Sequence, residues 1–132
     1  MTDFMRRLME LALAPDIRVE AWSDGSFSTA FELAGALWRI HYVHDNGWIT
    51  LRAPLLALPD GPDPALLKRL LAANLDLLFM RYAVGDHTVC ARGDISEQEF
   101  NEDEFRLVSR IAIDVVKHAV EELQLTTPPV EE

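Results

Sequence analysis

The chain has 132 residues, 49% of them apolar and 26% charged, the balance of one ordinary globular domain. Acids outnumber bases 22 to 12, and the formal charge of −10 repels phosphate backbones, which argues against direct binding of DNA or RNA. No stretch approaches the ~20 apolar residues of a membrane span, and the one cysteine, Cys90, permits no intramolecular disulfide, so no membrane partner and a cytoplasmic location are the expectation.

Thr2 or Asp3 can cap a first helix, in which Phe4, Leu8 and Leu11 recur at helical spacing with Met5, Met9 and Ala12 beside them. Glu10 interrupts the apolar stretch, so this segment reads as an amphipathic helix and not as a signal peptide. Pro15 ends it. The period then changes to two. Ile17, Val19 and Ala21 alternate with Arg18, Glu20 and Trp22 in a strand. Ser23 to Ser26 is a turn in which Gly25 can take positive φ. A second strand carries Phe27, Thr29, Phe31 and Leu33 on one face, and Gly35 marks the next bend. A third strand carries Trp38, Ile40 and Tyr42. Asp45-Asn46-Gly47 is a strong hairpin signal, and a fourth strand follows from Trp48 to Leu56 with Ile49, Leu51 and Ala53 on one face. Short turns between the four imply an antiparallel meander.

Pro59 to Pro62 forms a loop too short for a domain linker. Asp63 and Pro64 then open a second helix with a broad stripe of Leu66, Leu67, Leu70, Leu71, Asn74 and Leu75. Two further strands fall near residues 78–84 and 87–92. The first is apolar on both faces, the pattern of a central or covered strand. Residues 94–104 hold six acids and no base, and Asn101 with Glu104 forms a capping pair for a last helix striped by Phe105, Val108, Ala112, Val115 and Ala119, with Leu107 and Ile111 widening the stripe. The fold class expected is therefore α+β, in the order α-β-β-β-β-α-β-β-α: a four-strand meander plus a two-strand hairpin, packed with three helices. Residues 1–125 form one domain and residues 126–132 a disordered tail in this reading.

No catalytic constellation is legible. His41 and His44 stand three apart on a strand and so face opposite ways, which separates them as metal ligands. Cys90 and His87 are separated in the same way, which disfavours a thiol nucleophile. None of the six glycines falls in a phosphate-cradling motif. The run 94–104 lacks the register of a calcium loop. Arg92-Gly93-Asp94 reads as the end of a strand running into a turn. No enzyme activity, metal or cofactor is expected. Of the three tryptophans, Trp38 and Trp48 suit packing, while Trp22 shares its face with Arg18 and Glu20 and is the candidate client surface.

The element order resembles the type III secretion chaperones and the related YbjN-like proteins. The resemblance rests on the strand WITLRAPLLALP from Trp48, the run PALLKRLLAANLDLLFMRYAV from Pro64, a leucine-rich helix ending in Ala-Asn-Leu before an aromatic strand, the strand HTVCARGDI from His87, and the long last helix from Asn101. It implies a small acidic homodimer that binds a protein client and catalyses nothing. It also implies a dimer contact through the second helix and the strand after it, at Leu67, Leu71, Asn74, Leu78, Met80 and Tyr82. With no feature that points to a secretion system, the YbjN-like branch is the better match. The charge adds the expectation of a basic client, such as a nucleic-acid-binding protein. The alternative is a small-molecule sensor or regulatory domain with a pocket between helices and sheet.

Overall fold

Helix α1 (Asp3–Ala12) begins where the Thr2 hydroxyl accepts the Met5 N–H at 3.2 Å. A computed structural model describes residues 1–61 and 63–125, so Pro62 and the tail expected at 126–132 lie outside the described residues. The meander follows as β1 (Arg18–Ser23), β2 (Ser26–Leu33), β3 (Ala36–Asp45) and β4 (Trp48–Ala57). Asn46 and Gly47, at φ 51° and 79°, make the β3–β4 turn as the sequence predicts. Gly25 serves another purpose than the one expected of it. It does not take positive φ; instead a Cβ there would lie 3.1 Å from the His44 carbonyl, because the His44 N–H bonds the Gly25 carbonyl at 2.8 Å.

Helix α2 (Pro64–Asn74) starts with the Asp63 carboxylate accepting the Ala65 N–H and Pro64 in the first turn. Then come β5 (Arg81–Val84), β6 (Thr88–Ser96), a short 3-10 turn (Glu97–Glu99) and the 20-residue α3 (Glu102–Glu121), which the Asn101 side chain caps by accepting the Glu104 N–H. The six strands form one antiparallel sheet in the order β1-β2-β3-β4-β6-β5. Fold class and element order are those expected.

Three details depart from the sequence reading. Strand β5 begins at Arg81 and not at Leu78, because Phe79 takes φ 65°, which breaks the extended backbone. It also lies at the sheet edge, where a central place was expected. Its apolar residues are used on one side only: Tyr82 points into the core, while Met80 is buried in the connection that precedes the strand. Strand β6 runs on through Arg92, Gly93 and Asp94, which pair with Arg52, Leu51 and Thr50, so that tripeptide is mid-strand and not a turn.

The core sits between one sheet face and the helices. Phe27 and Tyr42 stack at 4.5 Å between ring centres, and Phe105 of α3 tilts onto Tyr42 at 5.9 Å. Met5, Leu8, Ile40, Ile49, Leu51 and Val116 are fully buried around them. Each such side chain contributes about 1.5–3 kcal/mol by leaving water. Helix α3 buries the stripe expected of it, except that Ile111 is only partly buried and Leu107 remains half exposed. The opposite sheet face carries Arg18, Glu20, Arg39, His41, Thr50, Arg52, Arg92 and Asp94, and none of the described helices packs on it.

Candidate protein-binding surfaces

The end of α2 is where the sequence pattern and the structure diverge most. Its leucine stripe predicts a buried helix, yet of its residues only Leu70 is buried. Leu71, Leu75 and Leu78 are 69%, 87% and 73% exposed. Leu71 and Leu75 share one helix face a turn apart, and Leu78 follows in the connection to β5. Leu67 is half buried. Met80 and Tyr82, expected at a dimer contact, are 0% and 5% exposed and belong to the protomer's own core. Leu75, absent from the expected contact, is the most exposed large apolar side chain among the described residues.

Asn74 joins this patch to the sheet. Its Oδ1 accepts the Tyr82 N–H at 2.7 Å and its Nδ2 donates to the Tyr82 carbonyl at 3.1 Å. Tyr82 pairs with Ala91 on β6, and both of its main-chain groups turn outward at the edge. The amide therefore occupies the position of a neighbouring strand and closes the edge at that residue. Below it the Tyr82 hydroxyl donates towards the Val115 carbonyl at 3.3 Å and lies 2.5 Å from His118 Nδ1. Burial pushes this phenol well above its ordinary range. His118 is thus half buried and partnered.

At the other edge, β1 is hydrogen-bonded by β2 on one side alone. Trp22 of β1 is 59% exposed and leans over the open sheet face, its Nε1 donating to Ser28 Oγ at 2.6 Å. Ser28 Oγ in turn meets His41 Nδ1 at 2.5 Å. Trp48, expected in packing, is 51% exposed, while Trp38 is buried. A shallow hollow of about 550 Å³ opens beside Trp48, lined by Val43, Asp45, Asn46, Thr50, Arg92 and Asp94.

The titratable groups stay dispersed. His41 lies on the open face, whereas His44 faces the helices, against the ring of Phe4 and 3.1 Å from the Glu97 carboxylate. Cys90 points to the open face in mid-strand and His87 sits in the preceding turn. Among the described residues no three His, Cys, Asp or Glu side chains gather as a cation site. No described helix is long and apolar enough to cross a membrane.

No family model matches the chain, and no curated protein matches it. Solved structures do. A chain of the heterodimeric ExoU–SpcU complex from the type III secretion system of Pseudomonas aeruginosa superposes with a TM-score of 0.53 at 15% identity, over 91% of this chain and 95% of that one. The fold is secretion-chaperone-like. The ExsC–ExsE complex also matches, with a TM-score of 0.49 at 14% identity, over 96% of this chain and 94% of that one. Identities this low speak to the fold alone.

Proposed function

We propose that the chain is a non-enzymatic, cytoplasmic adaptor that works as a homodimer and holds a protein client. The observation that carries this is the exposed leucine patch of Leu71, Leu75 and Leu78 at the end of α2. Large apolar side chains gathered at one place on a soluble surface mark an interaction site. A second copy is the occupant we assign to the patch. The resemblance to the secretion chaperones supports that reading, because it implies a dimer contact at this helix and the strand after it. Within this class the long helix from Asn101, which resembles the last helix of YbjN-like proteins, supports the YbjN-like branch.

The client surface is the remainder of the sheet. The β1 edge is open to strand addition, in which a client segment in extended form takes up its main-chain groups, with Trp22 beside it as an aromatic contact. The charge of −10 and the acids of residues 94–104 favour a client with basic segments, nucleic-acid-binding proteins among them. Light scattering at micromolar concentration, followed by affinity purification from the native cell, tests the proposal. A dimer with a reproducible protein interactor supports it; a monomer with none overturns it.

A further inference from the structure

Strand β5 pairs with β6 only as far as Arg81 with Arg92, so Gly93 to Ser96 of β6 run beyond it. A cavity of about 340 Å³ opens there, between the end of β6 and the start of α3. Three aromatic side chains stand around it. Trp48 comes from the first residue of β4, opposite Ser96. Phe100 comes from the link into α3 and is braced edge-on by Phe4. Phe79 comes from the connection before β5, and its ring lies close over Gly93, where a Cβ would stop it. Phe79 holds this place at φ 65°, a left-handed backbone that a bulky residue rarely takes. Strain of that kind persists only where the surroundings hold it, and it gathers at binding sites.

The charged lining has one sign. Asp94, Glu99 and Glu104 line the cavity, and no Lys, Arg or His does. Asp94 is engaged, by Arg92 at 3.5 Å and by the Thr50 hydroxyl at 2.7 Å. Arg106 of α3 is turned to Asp103, at 3.2 Å. Glu99 and Glu104 are exposed and form no ion pair among the described residues. A cleft lined by one sign of charge concentrates ions of the other.

We propose that this cavity takes an arginine side chain of the client. The inference rests on the adaptor reading above and deepens it, by naming one contact of the client's basic segment. Arginine matches each part of the lining. Its apolar stem suits Ile95 and Val108, its planar head can stack on an aromatic face, and its fork of donors suits the Glu99 and Glu104 carboxylates. Lysine offers the stem and the charge but no plane to stack. The volume lies at the small end of the roughly 300–1,000 Å³ of ligand sites, which suits one long side chain of a larger partner better than a whole cofactor. A metal ion is the poorer fit, because among the described residues no three His, Cys, Asp or Glu side chains come together to hold one.

The test uses the intact protein and a fluorescein-labelled peptide with one arginine between leucines, beside counterparts in which lysine or citrulline replaces the arginine. Citrulline keeps the shape and loses the charge. The arginine peptide should bind saturably and more weakly as salt rises. The citrulline peptide should bind at least about tenfold more weakly, with lysine between the two. Glu99→Gln together with Glu104→Gln should remove most of the preference for arginine over citrulline. Trp48→Ala should remove most of the preference for arginine over lysine. All three positions are exposed, so thermal melts of the variants should stay close to that of the natural protein. No saturable binding by the natural protein, equal binding of arginine and citrulline, or preferences unmoved in both variants would each overturn the inference. In the last case the attraction is that of the chain's charge of −10 and not of this cavity. If the natural protein still dimerises and captures its client in any of those cases, the adaptor reading stands without this contact.

Discussion

The side-chain amide of Asn74 takes both main-chain polar groups of Tyr82, at 2.7 and 3.1 Å, in the position where another strand would bond. Asn74→Ala leaves both groups without this partner and should cost about 2 kcal/mol in urea denaturation. Asn74→Asp keeps the acceptor for the Tyr82 N–H but faces the carbonyl with another oxygen, so its stability should fall between the two. An alanine variant as stable as the natural protein would remove the edge-closing role.

Leu75 and Leu78 contribute little to the protomer's core. Leu75→Glu together with Leu78→Glu should leave protomer folding within about 0.5 kcal/mol, as surface changes do. The same pair should shift light scattering from dimer to monomer. A dimer that survives both charges would place the contact elsewhere.

Gly93 is a close approach. A Cβ there would meet the Phe79 ring at 2.6 and 2.8 Å and Met80 Cγ at 3.1 Å. Gly93→Ala should therefore cost about 1–3 kcal/mol. Shortening the ring with Phe79→Leu should recover part of that loss in a double-mutant cycle. Additive effects would show that the two sites do not touch.

Both tyrosines of the chain are held protonated by the fold. Burial pushes Tyr42 up to about 12, against the pull of the Ser109 and Thr29 hydroxyls, and burial raises Tyr82 as well. A folded pKa above the unfolded one contributes stability that is complete below pH ~10 and fades as pH rises through the folded value. Phenolate absorbance should therefore appear above pH ~10, together with the loss of far-ultraviolet circular dichroism. Tyrosine ionisation at pH ~10 with the fold intact would contradict this burial.

Arg7 of α1 grips Glu102 of α3 bidentately, at 2.8 and 2.6 Å, and also bonds Glu10 at 2.9 Å. The hydrogen bond from Arg7 holds the Glu102 carboxyl below the usual carboxylate range. The depressed folded value means that the tie is complete above the unfolded pKa and is lost as pH falls through the folded one. Natural protein and Glu102→Gln should differ in melting temperature at neutral pH and low salt, and converge in acid or at high salt. A difference that persists in acid would exclude the ion pair as its source.

The legibility of these features followed the range of the forces behind them. The Asp45-Asn46-Gly47 hairpin, the Asp63-Pro64 helix start and the Asn101 cap are set within a few residues, and the chain shows them directly. The place of β6 between β4 and β5 is not local. It depends on pairs such as Arg52 with Arg92, 40 residues apart, which periodicity does not encode. The leucines of α2 form an apolar stripe whether the helix is covered by its own chain or by another, so the pattern alone gave no sign that Leu71 and Leu75 face outward. Asn74 entered as a polar residue of that stripe and, through the resemblance, as a dimer contact, and its bonds to the Tyr82 main chain became visible only when the strand was brought beside it.

The unequal edges of the sheet have a consequence for how large an assembly can grow. Edge-to-edge stacking into a fibre needs a free strand at both ends of every sheet, one to receive and one to be received. With Asn74 closing the β5 end at Tyr82, a strand that joins β1 ends the series it begins. The protein can hold an extended guest at one border without offering a template for its own copies at the other.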